Sequence, residues 1–393
     1  MKTFDCIVIG GGMVGAASAL SLAELGLAVA VVEKHAPADF SPEQVFDLRV
    51  SAISLSSIHL LEQLHAWRQI TQWRSCAYQR LGVWEYEFCY TEFNAEDIQQ
   101  KNLGTIVENR LIQLSLWQQM KVHPKVTLFC PDTLKNFTQC DDHVSVELER
   151  GELSAKLLIA ADGANSQVRE LADIGMTGWD YQQSAMLINV ETELAQQDIT
   201  WQKFFQSGPV AMLPLPGVST LGGNASLVWY HHKDEIKRLS SLSNQQLKQE
   251  IITHFPSRLG NVNVIDKAAF PLTRRHANRY QKNRVILIGD AAHTINPMAG
   301  QGVNLGFKDV KALQSVIASA IGNNECWHQP STLARYEKTR RHDNLLMMTT
   351  MDVLYASFSH PSPFVKVVRN AGLFVAKHTP LLKNKALAYA CGI

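Results

Sequence analysis

A glycine-rich turn near the N-terminus constrains the fold of this chain more than any other stretch. Residues 4–9 form an apolar run typical of a buried strand, and Gly10, Gly12 and Gly15 follow it with the spacing G-x-G-x-x-G. In a strand-turn-helix unit, the first glycine permits the tight turn, the second lets backbone amides approach a pyrophosphate, and the third lets helix and strand pack closely. The helix N-terminus would offer free N–H groups to the phosphates. The stretch therefore predicts a dinucleotide site.

A second apolar run, residues 28–32, ends in Glu33, which lies 18 residues after Gly15. An acidic side chain at this place accepts hydrogen bonds from the hydroxyls of an adenosine ribose and argues against a 2′-phosphate. Residues 6–32 are also apolar enough to resemble a signal or membrane segment. Because β-branched residues cluster at both ends and glycines interrupt the middle, we favour the dinucleotide unit over a continuous spanning helix.

The composition excludes several classes of function. The 37 basic and 36 acidic residues give a net charge of +1, without a basic tract or a zinc-finger spacing, so we predict neither nucleic-acid binding nor a metal site. The seven cysteines are scattered and contain no C-x-x-C pair, which favours reduced thiols and a cytoplasmic location. A chain of 393 residues can bury a large core and is expected to form two interleaved domains.

Two later loops also follow apolar, strand-like runs. One begins with Asp162 and Gly163, and the other with Gly289 and Asp290. Open α/β sheets bind ligands at the carboxyl ends of their strands, so both loops are candidates for ligand contact. An Asp-Gly pair alone is more typical of an ordinary turn.

Arg49 and Arg110 are candidate anion contacts. Arg49 follows a loop and precedes a helix, whereas Arg110 stands at the predicted start of another helix. Each is either a solvated surface charge or a contact to a cofactor, and the sequence alone leaves both readings open.

Periodicity predicts the remaining elements. Residues 176–270 are expected to form an antiparallel sheet with a helix at 244–255, and this segment is expected to cover a substrate. Ser56 or Ser57 is predicted to cap a helix that carries three leucines. Further strands are predicted at residues 81–88, 126–129, 144–148, 210–215 and 225–230.

The three loops, in this order, resemble those of the para-hydroxybenzoate hydroxylase type of FAD-dependent aromatic monooxygenase, over essentially the whole chain. Residues 270–277 and 289–306 are similar to the ubiquinone-biosynthesis hydroxylases within that family. Residues 47–54, 227–230 and 255–260 resemble the members that act on a polyprenylated methoxy-benzoquinol.

The resemblance implies an α/β fold. A Rossmann-like FAD-binding domain would be interleaved with an antiparallel β-sheet substrate domain and followed by a C-terminal helical segment. The implied FAD-binding parts are residues 1–80, 106–175 and 276–340, the substrate-domain parts are residues 81–105 and 176–275, and the helical segment is residues 341–393.

The resemblance also implies the roles of individual residues. A loop at the flavin edge would carry the catalytic residues Pro297, Gly300 and Gln301, and no general base is assigned. His276 and His293 are expected to be structural hydrogen-bonding groups. Arg169 would be a structural partner of the Asp-Gly motif. The implied FAD-binding residues are Gly10, Gly12, Gly15, Glu33, Arg49, Arg110, Asp162, Gly163, Gly289, Asp290, Gly302, Val303 and Asn304.

The reaction implied by the family is hydroxylation of a polyprenylated benzoquinol in ubiquinone biosynthesis. NAD(P)H would bind transiently and reduce FAD, O₂ would be captured as a flavin hydroperoxide, and one oxygen would pass to the ring. Two alternatives stay open: hydroxylation of an earlier prenylphenol, or a flavin-binding structural subunit of an assembly of ubiquinone-biosynthesis proteins.

The C-terminal stretch, residues 353–393, contains no Asp or Glu and five basic residues. One interpretation is a basic amphipathic surface that contacts anionic lipid peripherally at the inner membrane and admits a polyprenyl chain. The other is a helix packed on the body with a solvated basic face. The basic residues are Lys366, Arg369, Lys377, Lys383 and Lys385.

Overall fold

A computed structural model describes residues 2–295, 302–360, 362, 366, 369–370, 372 and 379–392. Its strands, numbered β1 to β19 in chain order, are Lys2–Ile9, Val29–Val32, Val50–Ser54, Cys76–Tyr78, Arg80–Trp84, Thr91–Asn94, Gly104–Glu108, Val126–Phe129, Leu134–Gln139, Val144–Leu148, Gly151–Ala160, Met176–Thr192, Ile199–Lys203, Val210–Leu215, Gly223–His232, Val262–Ala277, Gln281–Lys282, Val285–Leu287 and His293–Thr294. Its helices, α1 to α10, are Met13–Ala23, Leu55–Gln63, Trp67–Trp73, Asn109–Val122, Gln167–Leu171, Lys233–Ser241, Asn244–His254, Gly302–Gly322, Pro330–Ser359 and Pro380–Cys391.

A largely parallel sheet brings the predicted motif loops to one edge. Its central order is β18-β11-β1-β2-β8, and all four of these neighbouring pairs are parallel. Helices α1, α4 and α8 contribute buried residues to the same hydrophobic core. Because parallel strands present their carboxyl ends at one edge, the loops that begin at Gly10, Glu33, Ala161 and Ile288 lie together there.

A second sheet forms a wall beside that edge. Its order in the described residues is β19-β16-β12-β15-β14-β13-β5-β6, antiparallel except for the parallel pair β13 and β5. Alternate residues of β15 face opposite sides. Leu227 and Trp229 pack in a core with α6 and α7, whereas Val228 and Tyr230 pack in another cluster with Phe358 of α9.

The C-terminal helices complete the walls around the second sheet. Helix α9 packs against α8 and contributes Met347 and Met348 to a small cluster with Ile295. Helix α10 places Leu387 and Cys391 against Ala95 and Leu103.

Several predicted elements are confirmed. Strands at residues 126–129, 144–148 and 210–215 have the predicted bounds, and the predicted helix at 244–255 is α7, which ends at His254. The predicted cap of α2 was wrong: Ser54 is the N-cap, and its Oγ accepts a hydrogen bond from the Ser57 amide at 3.4 Å. Helix α4 begins at Asn109, one residue before the predicted start.

The predicted strand at 81–88 was too long. Strand β5 ends at Trp84, and a 3₁₀ turn covers Glu87–Cys89. Glu85 leaves the strand direction to form a buried ion pair with Arg369, with Oε1 and Nη2 separated by 2.5 Å. A buried charge needs its partner, so this long-range pair outweighs the local preference for strand.

Candidate active site

The first glycine turn is held fixed by Glu33, which directly follows β2, and by two side chains of α4. The Gly11 amide donates to Glu33 Oε2 at 2.6 Å. The Gly11 carbonyl accepts hydrogen bonds from Gln113 Nε2 at 2.9 Å and from Trp117 Nε1 at 2.7 Å. Both polar groups of this residue are therefore satisfied, and the turn is preorganised for a ligand.

Each of the three motif positions is glycine for a different steric reason. Gly10 has a φ of +100°, which L side chains rarely adopt. A Cβ on Gly15 would overlap the Gly10 carbonyl oxygen and lie 3.0 Å from Ala161 Cβ. A Cβ on Gly12 would meet no atom within 4 Å, and the N-terminus of α1 has no side-chain cap. The uncapped amides and the open space beside Gly12 fit a pyrophosphate.

The second motif presents an acid with one unpaired oxygen. Asp162 Oδ2 accepts a hydrogen bond from the Val168 amide at 3.1 Å. Among the residues that the structure describes, the buried Oδ1 has no hydrogen-bond partner. Burial raises the pKa of this carboxyl, although nearby donors, Ser166 and backbone amides, partly offset the effect. The adjacent Gly163 has a φ of +84° and lines a cavity that lies between the motif loops and the second sheet.

A buried aspartate organises the third motif. Asp309 Oδ2 accepts hydrogen bonds from the Gly289 amide at 2.9 Å and interacts with His293 Nε2 at 2.5 Å. Its Oδ1 accepts from Arg340 Nε at 2.8 Å and from Asn344 Nδ2 at 3.2 Å. Burial alone would raise the pKa of Asp309, but the charges and hydrogen bonds of His293 and Arg340 outweigh it and hold the pKa below its usual value. One carboxylate thus joins α8, α9 and the Gly289 loop.

Arg169 connects the second and third motifs. Its Nη2 donates to the Ala164 carbonyl at 3.1 Å and its Nη1 to the Ala291 carbonyl at 3.0 Å. These contacts support the structural role predicted for Arg169.

The two motif histidines lie in buried surroundings. His293 is engaged by Asp309. Burial and the neighbouring charge of Arg341 lower the pKa of His276 to about 4, so its imidazole is neutral near pH 7. Neither observation identifies His276 or His293 as a general base, and no general base is assigned.

Asp290 and Arg49 face the same cavity. Burial raises the pKa of the Asp290 carboxyl, and the charges of His293 and Arg49 act in the opposite direction. Within the described part of the chain, the Arg49 side chain forms no ion pair and no hydrogen bond, and only its backbone carbonyl accepts one, from the Asn109 amide. Its guanidinium is therefore available to a ligand.

Arg110 is already engaged by protein groups. Its Nε lies 2.9 Å from Asp47 Oδ2, and its Nη1 donates to the carbonyls of Ala38 and Asp39 at 2.8 and 3.0 Å. Arg110 therefore fastens the loop before β3, and a contact with a diphosphate would compete with these bonds.

The beginning of α8 reaches the cavity edge. Gly302 and Val303 line the cavity. Asn304 lies beneath them, where its Oδ1 accepts from the Ser54 amide at 3.0 Å and from Ser57 Oγ at 2.8 Å. Asn304 therefore binds the start of α2 and anchors the helix that borders the cavity. The predicted catalytic residues Pro297, Gly300 and Gln301 lie outside the described residues.

One cavity of about 810 Å³ connects the motif loops with the second sheet. Its motif side includes Gly12, Asp290 and Thr294, and its sheet side is mostly apolar. The apolar lining from the second sheet includes Leu187, Ala211, Leu213, Val228, Phe270 and Leu272.

Sequence reasoning missed three supporting residues. Gln113 and Trp117 were visible only as members of a helix, because their contact with Gly11 spans about a hundred residues. Asp309 carried a usable signal: it is a lone acid between the apolar Phe307 and Val310 of α8.

Comparison with known proteins agrees with this geometry. Residues 3–348 match the family model described as FAD binding domain. The chain is 46% identical over 390 residues to 3-demethoxyubiquinol 3-hydroxylase of Escherichia coli strain K12, covering 99% of this chain and 98% of the relative. The chain belongs to the FAD-dependent monooxygenases of ubiquinone biosynthesis.

Other relatives of the present chain come from bacteria and animals. The chain is 30% identical to the human mitochondrial ubiquinone biosynthesis monooxygenase COQ6, covering 98% of this chain and 92% of the relative. The crystal structure of p-nitrophenol 4-monooxygenase PnpA from Pseudomonas putida superposes with a TM-score of 0.79 at 19% identity, covering 98% of this chain and 97% of that chain. This likeness supports the predicted α/β fold.

The hydroxylase uses FAD, with NAD(P)H as its co-substrate. The uncapped N-terminus of α1, the space beside Gly12 and the unpaired Asp162 oxygen fit FAD. When bound, the flavin supplies the oxygen-activating chemistry. None of the helices in the described ranges is long and apolar enough to cross a membrane.

We expect Arg49→Ala to weaken FAD binding about ten- to 150-fold with little change in thermal stability, because a charge-assisted hydrogen bond contributes about 1.5–3 kcal/mol. Arg110→Ala is the matched control, since it removes an equal charge that is bound to the 37–47 loop. It should lower the melting temperature more than Arg49→Ala does. Titration of apoprotein with FAD, followed by flavin fluorescence, measures the affinity; an unchanged affinity for Arg49→Ala would contradict the assignment.

The prediction that all five basic residues of the C-terminal stretch form one basic surface needs correction. Arg369 is buried in its ion pair with Glu85, and Lys383 Nζ lies 2.7 Å from Asp97 Oδ2. These two charges therefore bind the chain's own carboxylates. Lys385 is exposed and Lys366 is partly exposed, while Lys377 lies outside the described residues.

Proposed function

We propose that this hydroxylase acts on 2-polyprenyl-3-methyl-6-methoxy-1,4-benzoquinol and transfers one oxygen of O₂ to its ring with electrons from NAD(P)H. The observation that carries the proposal is a continuous cavity that joins the FAD motif loops to an apolar sheet face. The 46% identity to an Escherichia coli 3-demethoxyubiquinol 3-hydroxylase supports a substrate of this ring type.

The walls of the cavity suit both the ring and the chemistry. Val228, Phe270 and Leu272 keep water away from the activated oxygen, which limits wasteful release of hydrogen peroxide. A quinol ring is already electron-rich through its oxygen substituents. Attack on the oxygen therefore needs orientation more than a strong protein base, in agreement with the absence of an assigned base.

A second apolar part of the cavity suits a polyprenyl chain. Phe93 and Leu103, together with Leu387 and Cys391 of α10, form one apolar cluster that lines it. Burial of a hydrocarbon chain contributes about 0.8 kcal/mol per CH₂ group. A few prenyl units in this part would account for most of the substrate's affinity, while the ring determines the chemistry.

The quinones of a deletion strain test the substrate. We expect loss of ubiquinone and accumulation of the demethoxy intermediate, restored by the wild-type gene. The purified protein should be yellow and should hydroxylate the methoxy-benzoquinol. Normal ubiquinone without an accumulated intermediate would contradict the proposal.

Two alternatives give different results in the same strain. A hydroxylase of an earlier prenylphenol would cause accumulation of that phenol. A flavin-binding structural subunit would tolerate a change at Asn304, which anchors the helix at the cavity edge. Unchanged quinol hydroxylation in cells of the deletion strain that carry Asn304→Ala protein, with no turnover by the purified FAD-bound protein, would favour the structural subunit.

A peripheral membrane contact through the basic C-terminal stretch is also part of the proposal, because the substrate carries a lipid tail. Neutralising Lys366, Lys377 and Lys385 should reduce co-sedimentation with vesicles that contain anionic lipid. Neutralising Lys383 is unsuitable, since its charge is paired with Asp97. Unchanged co-sedimentation of the triple variant would remove this part of the proposal.

A further inference from the structure

Several polar side chains interrupt the apolar cavity face of the second sheet. Gln202 of β13 and Tyr230 of β15 both line the cavity. Another polar residue on this face, Thr200, is satisfied internally, because its Oγ1 donates to the Met212 carbonyl at 2.8 Å. In the described ranges, neither the Gln202 amide nor the Tyr230 hydroxyl has a hydrogen-bond partner.

The register of the sheet places these two groups at opposite corners of a small patch. Gln202 is opposite Ala211, and Ala211 is opposite Val228, so the three form a row across β13, β14 and β15. Tyr230 lies two residues beyond Val228 on the same face. With strands about 4.8 Å apart and a rise of about 6.8 Å per two residues, the Cα atoms of Gln202 and Tyr230 are roughly 12 Å apart. The small Ala211 side chain leaves a shallow floor between them.

Tyr230 holds its ring in the protein and presents its hydroxyl to the cavity. Its side chain is only 4% exposed and packs with Phe204, Val228 and Phe358. The hydroxyl oxygen is not enclosed by the described residues, because it borders the open cavity. Burial raises the pKa of Tyr230, so the hydroxyl stays protonated and can donate a hydrogen bond. A ligand oxygen in the cavity can accept that bond.

We propose that the Tyr230 hydroxyl and the Gln202 amide orient the substrate ring by hydrogen-bonding its oxygen substituents, and so determine which ring carbon faces the flavin. This inference rests on the proposed quinol substrate. The apolar remainder of the cavity face holds the ring without choosing its rotation, whereas two fixed polar groups distinguish one rotation from the others. A site built to hydrogen-bond an oxygen also rejects analogues that lack it.

The test uses the FAD-loaded enzyme and variants Tyr230→Phe and Gln202→Leu. The probes are 2-prenyl-3-methyl-6-methoxy-1,4-benzoquinol with a short prenyl chain and its two analogues that each lack one ring hydroxyl. Binding is measured from the change in flavin absorbance, and turnover is divided into hydroxylated product and hydrogen peroxide. Each variant should bind the quinol about 3- to 10-fold more weakly than wild type. Each should also release a larger share of its NAD(P)H electrons as peroxide.

The deoxy probes separate a direct contact from a structural effect. For each variant, the loss of affinity should disappear with the analogue that lacks the contacted oxygen, because the two changes remove the same interaction. Tyr90→Phe is the control, since it removes a hydroxyl that donates to Glu92 at 2.7 Å outside the cavity. It should bind all three probes as wild type does.

The outcomes also separate this inference from the proposed function. If wild-type enzyme fails to hydroxylate the quinol probe, the proposed function is wrong. If wild type hydroxylates the probe but both variants bind and couple normally, the function stands and the orienting role of Tyr230 and Gln202 is wrong. An affinity loss that is equal for all three probes also overturns the orienting role.

Discussion

Gly15→Ala is expected to prevent the chain from forming a FAD-binding fold. The added Cβ would overlap the Gly10 carbonyl oxygen and lie 3.0 Å from Ala161 Cβ, between β1, α1 and β11. The Gly10 carbonyl belongs to backbone that is held in place, because the Gly10 amide donates to the Val32 carbonyl at 2.9 Å, so the helix must move away from the sheet. Overpacking of a tight core costs about 1–3 kcal/mol, and more where backbone is displaced. Circular dichroism and the flavin content of the purified protein measure the result.

Gly12→Ala is the matched control for this prediction. Its Cβ would meet no protein atom within 4 Å, so the variant should fold and melt as wild type does in the absence of FAD. The methyl group would occupy the space assigned to the pyrophosphate, and FAD binding should be lost. Equal FAD affinity of Gly12→Ala and wild type would contradict the pyrophosphate assignment. A stable, flavin-loaded Gly15→Ala protein would contradict the packing argument.

Asp309→Asn is expected to lower the free energy of unfolding by about 3–5 kcal/mol, because it removes the buried carboxylate that pairs with the buried charge of Arg340. His293 and the Gly289 amide would lose the same acceptor charge. Asp343→Asn is the matched control: Asp343 also binds Arg340, at 2.8 Å, but its side chain is 53% exposed. Its removal should cost less than about 1 kcal/mol. Urea unfolding of the apoproteins at pH 7 measures both changes.

The pH dependence gives the Asp309 prediction a second readout. The native pKa of Asp309 is lowered, so its charged form stabilises the fold above the unfolded pKa of about 3.9. This stabilisation is lost as the pH falls below that value towards the native pKa. The difference in stability between wild type and Asp309→Asn should therefore narrow below about pH 4. A difference that stays constant down to pH 3 would contradict the linkage.

The sequence predicted best where local patterns and the fold demand the same residues. The apolar runs before Gly10, Asp162 and Gly289 predicted strands, and the sheet places all three loops at one edge. Parallel strands covered on both faces require such continuous apolar runs, so the signal is strong.

Prediction failed where distant contacts decide the local structure. Strand β16, Val262–Ala277, was not predicted because its charged residues and Pro271 weaken the strand pattern, yet it pairs with β12 along most of its length. The predicted end of β5 was wrong because Glu85 is bound to Arg369, 284 residues later in the chain. Arg110 is bound by Asp47 and by loop carbonyls, whereas the Arg49 side chain faces the cavity. No local sequence pattern predicts this difference, because it depends on residues that are distant in the chain.

The pairing of β1 has a consequence for the synthesis of this hydroxylase. Strand β1 lies between β2 and β11, and β11 in turn requires β18, which begins at Val285. At about 5–20 residues per second, the ribosome completes β18 roughly 15 to 60 s after β1. During that interval the sheet is incomplete, because β1 gains β11 only when residue 160 has been made and β11 still lacks β18, in a topology of high contact order. The yield of active enzyme should therefore depend on chaperones that protect the nascent chain, and FAD can stabilise the fold only near the end of translation.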